Sequence, residues 1–432
     1  MAGSTPALPP ELCDYILDQL ADDKRTLRSC ALTSRQWLPR AQHNLFRSIY
    51  IDWSNCSAFS RLLSANPLLT DHVRTLEIES AFGIFSMDRL HGATLDAWLH
   101  AIPPWMPARL ANLTKLELAL LTIDADLARG FFNRLRGVTH LTLWACTLKT
   151  FDVFTEMYLS FPGLKRLTIA FTQEWESNPR GAVAPLAKGG ALPQLEVLEL
   201  TSGCDNFKVL SWLVAEDLHR AVHTLSCTRV PWAELSTLGE LLNELAPTLK
   251  QLRIGLGESA SASGESPTPR LTFLMLKRVP PAAPPRGTDW TAPIFSPLPA
   301  LHTLTLDIHT ARLSAVPYTL SLLAQLAVPA LRTLAFAVKC GEFDTAFLIP
   351  WARVADVAAR FHGHGGGRAL ECVRVGVKER PRAGPPVVHV DARAGTVGVG
   401  GMVDFAEMER SVREAFGAKG MGKLVVFERV VR

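Results

Sequence analysis

A pattern of three apolar positions recurs along most of the chain. Its clearest copy is the segment 138–146, where Val138, Leu141 and Leu143 are separated by threonines and a histidine. Because side chains alternate along a strand, this spacing predicts a short strand whose last two apolar residues point into a core. Ten further segments fit the pattern. The middle slots of the eleven copies hold Leu76, Leu116, Leu141, Leu167, Leu198, Leu225, Leu252, Leu274, Leu304, Leu334 and Val373.

The stretches between the predicted strands have the apolar spacing of helices, for example residues 233–245 and 318–326. A short strand followed by a helix can bury its apolar face only against a neighbouring unit, so we expect the units to stack side by side. With this pattern, residues 70–380 resemble leucine-rich-repeat proteins of the irregular, long-repeat kind. The resemblance implies a curved solenoid with an inner parallel sheet and outer helices.

Loops and a terminal cap divide the predicted array. We place the irregular repeats in residues 53–380, interrupted by loops at 257–270 and 279–299, the second of which holds seven prolines. Residues 381–432 are predicted to form a C-terminal cap, because a terminal repeat needs a polar outer face. The elements expected around this cap are a loop at 379–401, an amphipathic helix at 403–416 and a final strand at 424–431.

The first fifty residues predict three short helices. Leu12, Ile16 and Leu20 fall on one helical face, which Cys13 and Leu17 widen. The sequence then offers a second stripe at Leu27, Cys30 and Ala31, a cap at Thr33 or Ser34, a third helix carrying Trp37 and Leu38, and an extended segment at 43–51. A module of this size has too small a core to be stable in isolation, so it needs a partner.

The same residues carry a second resemblance. The pattern Leu8-Pro9-x-Glu11-Leu12-x3-Ile16-Leu17, followed by Leu27, Cys30-Ala31-Leu32, Trp37 and Leu45-Phe46, resembles the F-box motif. The chain lacks the Val-Cys-(Lys/Arg) run of stronger matches. The resemblance implies that residues 1–52 are a trihelical F-box that docks a Skp1-type adaptor. The adaptor contacts that it implies are Leu8, Pro9, Leu12, Ile16, Leu20, Leu27, Cys30 and Trp37. Leu8 and Pro9 are the best placed, since they precede the first helix.

The two resemblances together predict an α/β fold, with an N-terminal trihelical F-box followed by a curved leucine-rich-repeat solenoid. They imply a substrate-recognition subunit of an SCF-type (Skp1-cullin-F-box) E3 ubiquitin ligase, which reaches a cullin through the adaptor and binds a target protein on its repeats. The alternative is a leucine-rich-repeat scaffold unconnected with ubiquitin, in which the first fifty residues only cap the array.

Charge bears on what the repeats would bind. The chain has 45 Lys and Arg against 41 Asp and Glu, and the outward slots of the predicted strands hold five acids and five bases. A neutral face is a poor ligand for a phosphate backbone, so we expect a protein target and no nucleic acid. Exposed aromatic residues are frequent anchors of such contacts. The predicted target-binding residues are Trp144, Phe273, Met275, Glu77, Glu117, Arg166 and Arg253. The alternative is that the loops at 257–270 and 279–299 cover the first three of these.

Two motifs resemble catalytic loops without their required partners. Residues 417–424 nearly match a phosphate-binding loop, but they lack its Ser or Thr and lie between a predicted helix and a predicted strand, the reverse of the order required. Residues 361–367 contain a His-Gly-Gly-Gly run, but no nucleophile motif of the form GxSxG occurs in the chain. His362 and His364 have no further metal ligand nearby in sequence. We therefore expect no enzyme, no catalytic residue, no cofactor and no metal.

The cysteines, the first residues and the longest apolar runs bear on the cellular compartment. The eight cysteines are far apart, and the first residues lack both a basic start and an apolar core of a secretory signal. No run approaches the roughly 18 apolar residues of a membrane span. These features predict a cytoplasmic or nuclear protein, or one found in both, without a membrane partner.

Overall fold

The coordinates are a computed structural model. They describe residues 8–80, 89–170, 192–201, 206–231, 234–257, 297–309, 323, 328–339, 349–363, 370–378, 388–391, 396–399 and 405–430. The chain divides into two compact units, Met1–Leu195 and Glu196–Arg432. At the level of fold class the prediction of a mixed α/β protein with parallel strands is confirmed. The predicted domain borders at residues 52 and 380 stay predictions.

The first unit begins with three helices, α1 (Pro10–Gln19), α2 (Lys24–Thr33) and α3 (Leu38–Phe46). Pro10 lies in the first turn of α1, where its missing N–H costs nothing. The side chain of Asp23 caps α2 by accepting hydrogen bonds from the N–H groups of Arg25 and Thr26. The prediction of three short helices is therefore confirmed.

Two details at the third helix were predicted wrongly. Trp37 lies one residue before α3, and the carbonyl of Ser34 accepts hydrogen bonds from the N–H groups of Trp37 and Leu38 in a turn. Ser34 therefore does not act as a side-chain cap of α3. The expected extended segment also starts later, since α3 continues to Phe46 and the strand begins at Ser48.

The small core of these helices is held together by polar contacts at its border. Its buried residues are Leu17, Leu27, Cys30 and Ala41, with Leu20, Ala31, Trp37 and Leu45 packed against them. The guanidinium of Arg40 donates to both carboxylate oxygens of Asp18, and the buried Asn44 donates to Asp18 and to the carbonyl of Leu17. Lys24 donates to the carbonyls of Asn44 and Leu45 at the end of α3. These bonds fix α1 and α2 to α3.

Parallel strands follow the helices in the first unit. Their order is β1 (Ser48–Ile51), β2 (Thr75–Glu79), β3 (Lys115–Ala119), β5 (His140–Trp144) and β7 (Arg166–Ala170), while β4 (Thr122–Ile123) pairs with β6 (Thr147–Leu148). Ile49, Leu76, Leu116, Leu141 and Leu167 lie in one register. The predicted repeat strands of this unit are confirmed. Sequence analysis missed that β1 extends the same ladder.

Helices connect these strands. They are α4 (Cys56–Ala65), α5 (Arg89–Ala101), α6 (Trp105–Arg109), α7 (Ala125–Gly130) and α8 (Phe151–Leu159). Asp124 and Thr150 cap the last two by accepting from N–H groups three residues on. The aromatic side chains of Phe151, Phe154 and Tyr158 on α8 are buried. Each helix buries its apolar side, as the repeat pattern requires.

The second unit repeats the arrangement. Its parallel strands are β8 (Val197–Thr201), β9 (Thr224–Pro231), β10 (Gln251–Gly257), β11 (Thr303–His309), β12 (Thr333–Lys339), β13 (Cys372–Lys378) and β16 (Val425–Val430). Their in-register anchors are Leu198, Leu225, Leu252, Leu304, Leu334, Val373 and Val425. The predicted strand around Leu274 lies outside the described residues, and β10 pairs directly with β11.

The C-terminal elements are mostly those that the sequence predicts. The second unit contains α9 (Asn206–Ala215), α10 (Leu235–Leu245), α11 (Trp351–Gly363) and α12 (Phe405–Gly417). The helices expected at 233–245 and 403–416 and the last strand are confirmed, whereas in the stretch 318–326 only Leu323 is described. The predicted loop at 379–401 instead contains an antiparallel pair, β14 (Val388–Asp391) and β15 (Thr396–Val399). Their alternating valines are the strand signal that was missed.

The burial of the strand anchors allows a direct test of the strand assignment. Leu141 is fully buried between neighbouring strands, whereas Thr142 is only half-buried on the opposite side of β5. Leu141→Ala should lower the free energy of unfolding by about 2–5 kcal/mol, as truncation of a buried leucine does. Thr142→Ala should lower it by less than about 0.5 kcal/mol. Chemical denaturation of both variants would measure these losses, and equal losses would contradict the strand assignment.

The bond between Asp18 and Arg40 predicts a pH dependence. The Arg40 guanidinium, and then the Asn44 amide, lower the pKa of Asp18 from 3.8 to about 2. A carboxylate with a lowered pKa stabilises the fold above its unfolded pKa, and this contribution is lost as pH falls from about 4 to about 2. We expect it to be on the order of 1 kcal/mol, since solvent screens the partly exposed pair. Denaturation of wild type and Asp18→Asn should differ at pH 7 and converge near pH 2; a constant difference would contradict this account.

Candidate functional site

One side of helix α1 exposes apolar side chains. Leu8, Leu12 and Ile16 are 49%, 50% and 42% exposed, and they are spaced four residues apart along the helix and its lead-in. We call Leu8, Pro9, Leu12 and Ile16 the α1 stripe. Cys13 and Leu17 lie about 100° further around the helix and are buried. The apolar face predicted for α1 is therefore divided into a buried part and an exposed part.

The predicted adaptor contacts divide in the same way. The four residues of the α1 stripe are exposed, and Leu20 and Trp37 are half-buried against the module core. Leu27 and Cys30 are instead buried inside that core, where a partner cannot reach their side chains without unfolding the helices. Tyr15, which is 63% exposed beside Ile16, was missed by the sequence analysis. Its spacing of three residues from Leu12 is the signal that could have placed it there.

A second candidate surface lies on the sheet of the first unit. Tyr50, Glu77, Glu117, Thr142 and Thr168 form one row across the strands, on the opposite side from the buried anchors. The next row contains Glu79, Ala119, Trp144 and Ala170. We call the surface formed by Tyr50, Glu77, Glu79, Glu117 and Trp144 the Glu77 face.

Carboxylates crowd one side of the Glu77 face. Glu77 lies directly opposite Glu117, and burial, followed by the charges of Glu117 and Glu79, raises the pKa of Glu77. Lys115 forms an ion pair with Glu117. The hydroxyl of Tyr50 donates to Glu79 at 2.9 Å, and burial together with this bond raises the pKa of Tyr50 to about 12. Among the described residues, no cation forms an ion pair with Glu77 or Glu79.

Aromatic and basic side chains complete this surface. Trp144, predicted to project from β5, is 37% exposed at the end of that strand, and Tyr50 is 45% exposed on β1. Ala119 and Ala170 lie on either side of Trp144 in its row, so small neighbours flank the indole. Arg166 is exposed in a different row, with Lys115 and His140. On this side of the sheet the carboxylates therefore lie on β2 and β3, and the bases Lys115 and Arg166 lie on β3 and β7.

The predicted face of the second unit is more nearly neutral where it is described. Arg253 donates through Nε and a terminal nitrogen to the two carboxylate oxygens of Asp307, at 2.8 and 3.2 Å. A bidentate pair of this kind satisfies both charges. Arg253 is therefore held in an ion pair, which lessens its value as a predicted target contact. Phe273 and Met275 lie outside the described residues.

The motifs that resemble catalytic loops have structural explanations or lie outside the described part. Helix α12 precedes residues 418–424 and β16 follows them, and the N–H of Met421 donates to the carbonyl of Phe416 in a turn where Gly420 has φ +73°. This is a helix-terminating glycine turn, as predicted. His364 lies outside the described residues, among which no group of three or more His, Cys, Asp or Glu could hold a metal ion.

Within the described part of the chain, no helix combines the length and the apolar character needed to cross a membrane.

The sequence matches no protein-family model, and no match is found among curated proteins. A function for this chain therefore has to be argued from its own residues and geometry.

Proposed function

We propose that this chain is a substrate receptor of a Skp1-cullin-F-box ubiquitin ligase. In this proposal the N-terminal helices are the F-box, which docks a Skp1-type adaptor and through it a cullin. The parallel strands and their helices belong to a leucine-rich-repeat solenoid, and its sheet holds a target protein. The receptor itself performs no catalysis; it brings the target to the ligase.

The α1 stripe is the observation that supports this proposal most. Burying an exposed leucine or isoleucine is worth on the order of 1.5–3 kcal/mol, so three such residues on one side of a helix are a ready surface for a partner. The module core uses only the adjoining part of the apolar face, at Cys13 and Leu17, and gains nothing from the stripe. A docking role explains why the apolar face of α1 is wider than the core requires.

A purely capping role explains the module less well. The carbonyl of Arg47, just after α3, accepts hydrogen bonds from Arg74 and Thr75 at the start of β2. His43 on α3 packs edge-on against His72, with ring centroids 5.5 Å apart. These contacts join α3 to the first repeat strand, as a cap would require. They involve neither Leu12 nor Ile16, so capping leaves the exposed stripe without a purpose.

The sheet supplies the second half of the proposal. Outward positions on neighbouring strands are held in register, so side chains from distant parts of the sequence form one continuous surface. An exposed tryptophan among polar groups has the composition of a protein-binding hot spot. We therefore assign target binding to this side of the sheet.

The adaptor contact predicts a specific loss. In the full-length chain, Leu12→Ala with Ile16→Ala should weaken binding of purified Skp1-type adaptor by at least about tenfold, because hot-spot side chains contribute about 2 kcal/mol or more. Leu8→Ala with Pro9→Ala should act in the same direction. Isothermal titration calorimetry would measure both. The unfolding curve should change little, since exposed side chains contribute little to stability.

A matched control is available in the same unit. Leu62 and Leu68 are also exposed but lie after the module, so Leu62→Ala with Leu68→Ala should leave adaptor affinity unchanged. If wild type does not bind the adaptor, or if both double variants on α1 bind it as tightly as wild type, the ligase proposal fails and the alternative of an unrelated scaffold takes its place.

A further inference from the structure

The Glu77 face holds charge in an unfavourable arrangement. Glu77 and Glu117 lie directly opposite each other on adjacent strands, and like charges in such positions destabilise a sheet. Glu79 follows two residues later on the same side of β2, where it adds a third carboxylate. The ion pair of Lys115 relieves Glu117, while the other two carboxylates receive no such pair from the described residues. A cation supplied by a partner would complete this arrangement.

Exposed aromatic rings lie beside these carboxylates. Tyr50 is fixed next to them by its bond to Glu79, and its half-exposed ring can contact a cation. Trp144 lies in the same row as Glu79, with only Ala119 between them. Carboxylates, an aromatic ring and a separate exposed indole are complementary to a segment with one basic and one apolar side chain.

The register fixes the separation of these two positions. Glu79 and Trp144 are two strands apart, and neighbouring strands are spaced by about 4.8 Å, which gives roughly 10 Å. In an extended polyproline-II segment, residues three apart lie on the same side and are separated by about 9.3 Å. Residues two or four apart in a flat strand are separated by about 6.6 or 13 Å and match the sheet less well.

We propose that the Glu77 face binds an extended segment of a target protein in which Lys or Arg is three residues from an apolar side chain. The cation contacts Glu77 and Glu79, and the apolar group packs against Trp144. Two bases of the neighbouring row, Lys115 beside the carboxylates on β3 and Arg166 on β7, disfavour further cations, so a uniformly basic segment binds less well. This inference rests on the proposed function only for the assumption that the ligand is a target to be captured.

The test uses the purified full-length chain and fluorescently labelled ten-residue peptides of Ala and Pro, with one Lys and one Leu separated by two, three or four positions in either order. The peptide with a separation of three should bind most tightly. Replacing its Lys by Gln should weaken binding by about tenfold, as loss of one well-placed charge pair does. Fluorescence anisotropy at low and high salt measures both effects, and the Lys contribution should shrink at high salt.

Variants test whether the preference for the Lys peptide depends on the Glu77 face. Glu77→Gln with Glu79→Gln should abolish the difference between the Lys and Gln peptides, and Trp144→Ala should weaken both peptides alike. Glu240→Gln with Glu244→Gln removes two exposed carboxylates from α10 and should change nothing. A cooperative melting transition in every variant excludes a loss of folding, and the double glutamine variant should melt no lower than wild type because it removes like charge.

Several outcomes overturn the inference: no binding by any peptide, a preference for a separation of two or four, or an unchanged Lys preference in the double glutamine variant. Self-association of the wild type that the same double variant abolishes would identify a second copy as the occupant, which also overturns it. Adaptor binding is measured on the same preparations. A chain that does not bind the adaptor can still show the peptide preference, and a chain without the peptide preference can still bind the adaptor. The failures of the two proposals are therefore distinguishable.

Discussion

The structure of each unit depends on one ladder of buried aliphatic side chains held in parallel register. In the first unit it runs through Leu76, Leu116, Leu141 and Leu167, and in the second through Leu198, Leu225, Leu252 and Leu304 to Val425. A shift of one residue in any strand would turn its anchors to the opposite side, so burial of these residues fixes the register. Within each unit, consecutive described anchors are separated by 25 residues (Leu116 to Leu141) to 52 residues (Leu252 to Leu304) without disturbing it, because only the strands must match.

The ladder also decides what lies on the other side of the sheet. Once Leu76 and Leu116 are buried in register, Glu77 and Glu117 must face each other, whatever the cost of like charges. The ion pair with Lys115 relieves the charge of Glu117, while the carboxylates of Glu77 and Glu79 remain available to the proposed ligand. In folded proteins the local preferences of residues usually agree with the overall fold. Positions where they disagree are concentrated at functional sites. The crowded carboxylates beside Trp144 are such a departure.

The three N-terminal helices also combine a buried core with an exposed surface. Its few buried side chains could not hold three helices alone, and Asp18, Lys24 and Asn44 add hydrogen bonds to backbone and side chains at the border of the core. These bonds hold α1 against α3, so Leu12 and Ile16 remain on the outside. The hydrogen bonds at the border of the core therefore hold in place the helix that carries the exposed α1 stripe.

Periodicity along the chain is sufficient to predict the three N-terminal helices, the strands at Leu76, Leu141 and the other described anchors, α10, α12 and the last strand. Local spacing was enough there because each pattern has one way of burying its apolar residues. Which α1 residues belong to the core depends on tertiary packing, since Leu12 and Cys13 are both apolar and the positions of α2 and α3 determine which of them is buried. Packing also added β1 to the ladder and paired Arg253 with Asp307 across 54 residues. Partners so distant in sequence leave no local signal, because they meet only when the strands that carry them lie side by side.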